Sequence, residues 1–185
     1  MRLAEAGDTE LLAATARGDR DAFAALYDRH ARAVYRYCRA KLRDPDAAAD
    51  ACQETFAAVW TGAARYAGSG AALAWILGIA RRKAVDVLRA AAARAEGPLP
   101  EDEGAPQMRG PGHPAAVEEA VDVWSALARL PETQREVVLL TYGFGLSCQE
   151  AGEVLGVPTG TVKSRLHTAR GTLTRSLGAP GGTRL

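Results

Sequence analysis

Lys163, Ser164, Arg165, His167 and Arg170 crowd one short stretch of this chain with donors suited to anions and to base edges. Ammonium and guanidinium groups hold phosphates, while a hydroxyl or an imidazole offers hydrogen bonds to the edges of base pairs in a major groove. Val162, Leu166, Ala169 and Leu173 recur at helical spacing and define an apolar stripe. Gly160, Ser164, His167 and Gly171 then fall opposite that stripe, flanked by Lys163 and Thr168, so the exposed face is small, polar and basic. Just upstream, Ser147 can cap a helix whose apolar end is Val154 and Leu155; Gly156 and Pro158 stop it, and Thr159 can cap the next. Two short helices around a tight turn, the second one basic, form a helix-turn-helix pattern, with Thr161, Lys163, Ser164, Arg165, His167 and Arg170 as its candidate DNA contacts. The plain alternative is a pair of amphipathic helices that never meets nucleic acid. Charge argues against it: no Asp or Glu follows Glu153, whereas Lys163, Arg165, Arg170, Arg175 and Arg184 all do.

The elements that must position these residues are helical. Strand signals are almost absent, and alanine, leucine and arginine dominate two long segments. Asp8 or Thr9 opens a first helix that ends at Gly18, and Asp21 opens a second that runs to Asp44 and Pro45. A third spans about Asp46 to Trp60; a Gly-rich loop follows, and a fourth extends from Ala71 to roughly Arg94. Residues 96–114 then carry nine Gly and Pro, from Gly97 to Pro114, which no packed element tolerates, so this stretch is a flexible linker. Beyond it, Val117 to Ala128 reads as a helix, Pro131 starts another at its first-turn position, and Gly178 to Leu185 is a frayed tail. The expected fold is all-α: two small helical domains, 1–94 and 116–178, joined by a linker at 95–115 and followed by a disordered tail at 179–185.

With 185 residues and a net charge of +1, it is the distribution of charge rather than its sum that carries information. No apolar run is long enough to span a bilayer and the first twenty residues lack a signal-peptide pattern, so a cytoplasmic protein without membrane insertion is expected. Cys38, Cys52 and Cys148 form no C-x-x-C pair and sit at no zinc-ligand spacing from His30, His113 or His167; free thiols, and neither metal nor cofactor, are expected.

In the third helix, Ala49, Cys52, Phe56, Val59 and Trp60 share a core face, and Asp46, Asp50, Gln53, Glu54 and Ala57 form an acidic and polar strip on the other side. Such a strip is often no more than a solvated face. The fourth helix should bury Leu73, Ile76, Leu77, Ala80, Ala84, Val87 and Leu88, and show Trp75, Ile79, Arg82 and Arg89 on its far side, with Arg81 and Lys83 flanking. An aromatic beside cations, after a Gly-rich loop, can stack on unpaired bases while the cations hold phosphates; an edge Trp that merely covers core is the competing reading.

Taken together, DPDAAADACQETFAAVW (Asp44 to Trp60), AWILGIARRKAVDVLR (Ala74 to Arg89) and the stretch from Ala126 to Arg170 resemble the extracytoplasmic-function (ECF, group IV) sigma factors of bacterial RNA polymerase, which keep only sigma regions two and four. The resemblance covers nearly the whole chain apart from linker and tails, and the order, spacing and linker position all fit. It implies a specificity subunit, not an enzyme, that needs no cofactor, binds the polymerase core and promoter DNA, and is held in check by an anti-sigma factor. By the same resemblance, Asp46, Asp50, Gln53, Glu54 and Phe56 belong to the surface that docks on the clamp helices of the polymerase largest subunit. Arg65, Tyr66, Trp75, Arg82, Lys83 and Arg89 belong to the part that melts the minus-ten element and captures a flipped base. The helix from Gly160 to Arg170 matches the reader of the minus-thirty-five element, and the linker matches the segment that threads toward the active-site and RNA-exit channels.

Four positions depart from the family pattern. Ala49 stands where an acidic residue is usual, Gly78 where a basic or polar one is common, and Ala151 and Gly152 replace a larger apolar residue and an alanine. Each glycine weakens a helix interior by about 1 kcal/mol relative to alanine, although Gly152 would also permit close helix approach. A stand-alone helix-turn-helix regulator is the alternative, but it would normally bring a receiver domain of alternating strands and helices, which the first half is not. No Gly-rich phosphate loop after a strand, no nucleophile elbow and no ligand cluster speaks for an enzyme.

Overall fold

The computed structural model describes residues 6–42, 44–68, 70–95 and 127–177. The expected linker, the expected helix from Val117 as far as residue 126, and the tail after Leu177 lie outside them. The chain divides into two compact units, one built on residues 6–95 and the other on 127–152 and 156–177, and each has its own helical architecture.

The first unit contains α1 (Asp8–Ala16), α2 (Arg20–Lys41), α3 (Pro45–Gly62), a 3₁₀ turn at Ala63–Arg65, and α4 (Ala72–Ala95). Side chains with carboxylates set three of the starts. Glu10 accepts from the Gly7 N–H at 3.1 Å, Asp19 Oδ1 accepts from the Asp21 and Ala22 N–H groups at 3.0 Å, and Asp44 accepts from Asp46 and Ala47. The second helix therefore opens at Asp19 and not at Asp21: a short carboxylate in extended backbone satisfies the orphan donors of the first turn, and Asp21 is already inside. Pro45 occupies the first turn of α3, where its missing N–H goes unnoticed. Leu11, Leu12, Leu26, Val34, Tyr37, Val59, Ile76 and Leu77 are fully buried and form the core shared by α1 to α4. Arg29 fastens α1 to α2 through the Ala6 carbonyl and the Asp8 carboxylate, and His30 Nε2 lies 2.8 Å from the other Asp8 oxygen.

Two expectations for α4 are reversed. Ile79, expected on the far side, is buried, and Leu88, expected in the core, is 41% exposed. The helix packs on both α2 and α3, so its buried face is wider than one stripe and takes in Ile79. From Leu88 to Arg94 every residue is exposed, so the last turns of α4 have no neighbour among the described residues to bury Leu88 against.

Cys38 and Cys52 are buried thiols on facing helices. Burial, with a smaller contribution from the neighbouring Cys52, pushes Cys38 up to about 12, and burial also raises Cys52. A raised folded-state value means that above the ordinary thiol range near 9.0 the unfolded chain loses its protons first. Stability is therefore whole below that value and falls as pH rises toward the folded value. The urea midpoint of the parent should drop more steeply between about pH 9 and pH 11 than that of a Cys38→Ala, Cys52→Ala double variant, with parallel behaviour below about pH 8. Parallel curves throughout would refute the shift.

Candidate nucleic-acid interface

The second unit is built on α5 (Glu132–Val138), a π turn (Leu139–Gly143), the larger part of α6 (Cys148–Leu155) and α7 (Thr159–Leu177). Pro131 sits one position earlier than expected, at the cap of α5, where its carbonyl accepts from the Gln134 and Arg135 N–H groups at 2.9 Å. After Val138 the helix widens, and the Phe144 N–H reaches back five residues to the Leu139 carbonyl at 3.1 Å. Ser147 and Glu150 then cap α6 reciprocally: Ser147 N–H donates to the Glu150 carboxylate at 2.8 Å and Glu150 N–H donates to Ser147 Oγ at 3.2 Å.

Gly156 ends α6 with φ +66°, and Val157 N–H donates to the Gly152 carbonyl at 3.0 Å. A Cβ on Gly152 would stand 2.8 Å from the Val157 carbonyl oxygen and 3.7 Å from a Val162 methyl, so this glycine is what lets the turn close against α7. Thr159 is the first residue of α7, not its cap. The Val162 N–H donates to the Pro158 carbonyl at 3.3 Å, which puts the cap one residue earlier. On α7, Val162, Leu166 and Ala169 are buried and Leu173 half-buried, while Lys163, Ser164, His167, Thr168 and Arg170 are exposed and Thr161 and Arg165 are half-buried. Arg170, a candidate DNA contact, is paired with Tyr142 of the π turn. Its Nε donates to the Tyr142 hydroxyl at 2.7 Å, its Nη2 bonds the same oxygen, and its guanidinium carbon lies 5.5 Å from the ring centroid.

In the first unit, Asp46, Asp50, Gln53 and Glu54 are exposed along α3, and Glu54 pairs with Lys83 of α4 at 3.0 Å. Phe56 does not belong to that surface. It is only 3% exposed, with its ring 4.7 Å from Tyr27 and 6.4 Å from Phe23, so the docking contact assigned to it is corrected to a core role. Its spacing from Cys52 and Val59 already places it on the core face.

Trp75 is half-buried, and Tyr66 is folded over it with ring centroids 5.7 Å apart. The Tyr66 hydroxyl donates to the Gly70 carbonyl at 2.7 Å, which ties both ends of the loop together. Trp75 faces Gly62, where an added Cβ would lie 3.9 Å from the indole. Beside it lies an open groove of about 300 Å³, lined by Ala58, Gly62, Arg65, Trp75, Ile79, Arg82, Lys83 and Asp86. An aromatic wall with three cations is what an unstacked base and its phosphates need. Arg89 stays outside this groove, exposed and 3.9 Å from Asp86. Gly78 is buried, so its position presents no side chain to a ligand. Ala58, Gly62 and Ile79 complete the groove without having stood out in the sequence, because small and apolar residues carry no chemical signal of their own.

Residues 26–94 match the Sigma-70 region 2 family model and residues 120–173 match Sigma-70 region 4. The ECF RNA polymerase sigma factor SigM of Mycobacterium tuberculosis is 39% identical over 174 residues, spanning 94% of this chain and 86% of that protein. This chain belongs to the ECF sigma factors. The ECF sigma factor SigK of Mycolicibacterium vanbaalenii is similar at 34% identity over 91% of this sigma factor and 88% of its own length. Among solved structures, CnrH in complex with the cytosolic domain of CnrY is similar with a TM-score of 0.68 and 29% identity, covering 94% of this chain and 99% of that one. This sigma factor is a DNA-binding subunit of RNA polymerase that acts in transcription initiation, with core polymerase and promoter DNA as partners. Among the described residues no helix is long and apolar enough to cross a membrane.

Proposed function

We propose that the domain at 1–94 docks on core polymerase through Asp46, Asp50, Gln53 and Glu54, and opens the minus-ten element at the groove formed by Arg65, Tyr66, Trp75, Arg82 and Lys83, with Arg89 as an outlying phosphate contact. The domain at 116–178 reads the minus-thirty-five element with α7, and residues 95–115 join the two. Two weak DNA contacts on one chain reinforce each other through effective concentration. The factor performs no bond chemistry itself and works in the cytoplasm. CnrH binds the cytosolic domain of CnrY; a comparable regulatory partner here, an anti-sigma factor, accords with the family.

The observation that carries this reading is the separation of faces on α7: Lys163, Ser164 and His167 are exposed opposite a buried Val162, Leu166 and Ala169. Transcription with purified bacterial core polymerase and a promoter library tests it, since discrete start sites should require both the factor and core. Within that assay, Ser164→Ala or His167→Ala should change the preferred base at the upstream element by about 1–3 kcal/mol, the scale of one good base contact. Arg165→Ala should weaken all sequences alike and flatten the salt dependence. An unchanged base profile for both face variants would count against this orientation of α7.

Trp75→Ala separates melting from packing. On the melting role it reduces open-complex formation more than initial promoter binding, and a template with a premelted minus-ten bubble restores much of the loss. A purely structural indole, wedged between Gly62 and Tyr66, predicts a lower melting temperature and equal defects on duplex and bubble templates. Permanganate footprinting beside a thermal melt distinguishes the outcomes.

A further inference from the structure

We infer that Tyr142 and Arg170 form a composite clamp for a single backbone phosphate at the rim of the recognition helix, a proposal that rests on α7 lying in the upstream duplex. Arg170 follows Lys163 by seven residues, two turns of helix, so both cations occupy the same flank of the exposed face, beside the bases read by Ser164 and His167. A flank residue of a helix in a groove roughly 12 Å wide meets the sugar-phosphate wall and not the base edges.

The pairing with Tyr142 equips that cation for the task. The phenol oxygen accepts from both Nε and Nη2 of Arg170, so its own proton and the Nη1 protons take no part in the pair. Two guanidinium donors on one oxygen polarise the hydroxyl and make it a stronger donor toward an anion. Tyr142 is 58% exposed, so a phosphate can reach it. The π turn explains how a residue so close to α5 gets there. Widening the helix at Leu139–Gly143 re-aims Tyr142 toward α7, and such bulges are frequent at functional sites. A guanidinium held by a ring and a hydroxyl also loses less rotamer freedom when a phosphate arrives than an unrestrained one.

The test uses holoenzyme assembled from core polymerase and the full-length chain, on a promoter selected with the parent. Single neutral methylphosphonates are walked through both strands of the upstream element. Tyr142→Phe keeps the ring and loses the hydroxyl; it and Arg170→Ala should each weaken promoter binding about 3- to 10-fold. Both should lose sensitivity to the same one or two methylphosphonates, base preference should stay that of the parent, and the double variant should bind no worse than Arg170→Ala alone. A structural role for Tyr142 would lower the melting temperature without erasing the response to one particular phosphate. Parent affinity for Tyr142→Phe, or losses that multiply in the double variant, overturns the clamp. If Lys163→Ala and Arg170→Ala are silent as well, the placement of α7 in the duplex fails with it; if they weaken binding while Tyr142→Phe does not, only the clamp fails.

Discussion

Reversing charge at Asp50 and Glu54 together should reduce the affinity for core polymerase by at least about 100-fold and abolish promoter-directed transcription, with helix content unchanged. Both side chains are exposed on one face of α3, so neither reversal disturbs the core beneath, where Phe56, Val59 and Cys52 pack. Opposed charges steer an encounter, and juxtaposed like charges cost several kcal/mol, so reversal acts twice: it removes an attraction and installs a repulsion. The Glu54–Lys83 ion pair adds a local effect, because an arginine at 54 would repel Lys83. Glu54→Gln is the control, releasing Lys83 without adding a cation; it should retain most of the affinity. Measured binding of the double reversal equal to that of the parent would remove this strip from the docking surface.

The second large effect is expected at Gly152. Alanine there gains about 1 kcal/mol in helix propensity, but its Cβ would stand 2.8 Å from the backbone oxygen of Val157, which no side-chain rotation can move. Opening the turn should cost about 2–3 kcal/mol, so overpacking outweighs propensity. Gly152→Ala should lower the melting transition of the second unit and weaken recognition of the upstream element, while binding to core through the first unit persists. Gly78 supplies the contrast. An added Cβ there meets only the end of the Arg82 side chain at 4.0 Å, so Gly78→Ala should be neutral or stabilising by up to about 1 kcal/mol. A Gly152→Ala variant that melts at or above the parent would show that the turn yields more easily than its geometry indicates.

Periodicity and stop signals made most of the architecture legible, because the chain is built of amphipathic helices with strong punctuation. The stripe Val162, Leu166, Ala169 and the cap at Ser147 follow directly from spacing and side-chain chemistry. Starts set by a backbone carbonyl were not legible in the same way: Pro131 and Pro158 cap helices through oxygens every residue possesses, so only their position in space reveals the role. Ile79 and Leu88 exchange places because burial depends on which neighbours a helix meets, and a single-helix pattern does not hold that information. The pairing of Tyr142 with Arg170 leaves no signal in the sequence for a related reason. Nothing in the helical period of Val137 to Leu140 announces a π turn, although the glycines at 143 and 145 mark where the helix must end.

The bridge between Glu54 and Lys83 has a consequence beyond its own strength. It spans 3.0 Å between a residue of the proposed docking strip and a residue lining the aromatic groove, and both ends are solvent-accessible. An exposed pair of this kind is worth only about 0.2–1 kcal/mol, so either partner leaves it readily for a better one. Under the proposed function, a cation on the polymerase that claimed Glu54 would release Lys83 toward the phosphates of the melted strand, and a phosphate that claimed Lys83 would release Glu54 toward the polymerase. By linkage each exchange would then ease the other by the same factor, at most about 5-fold for a pair of this strength, so an ion pair that adds little to folding would couple strand capture and subunit docking reciprocally.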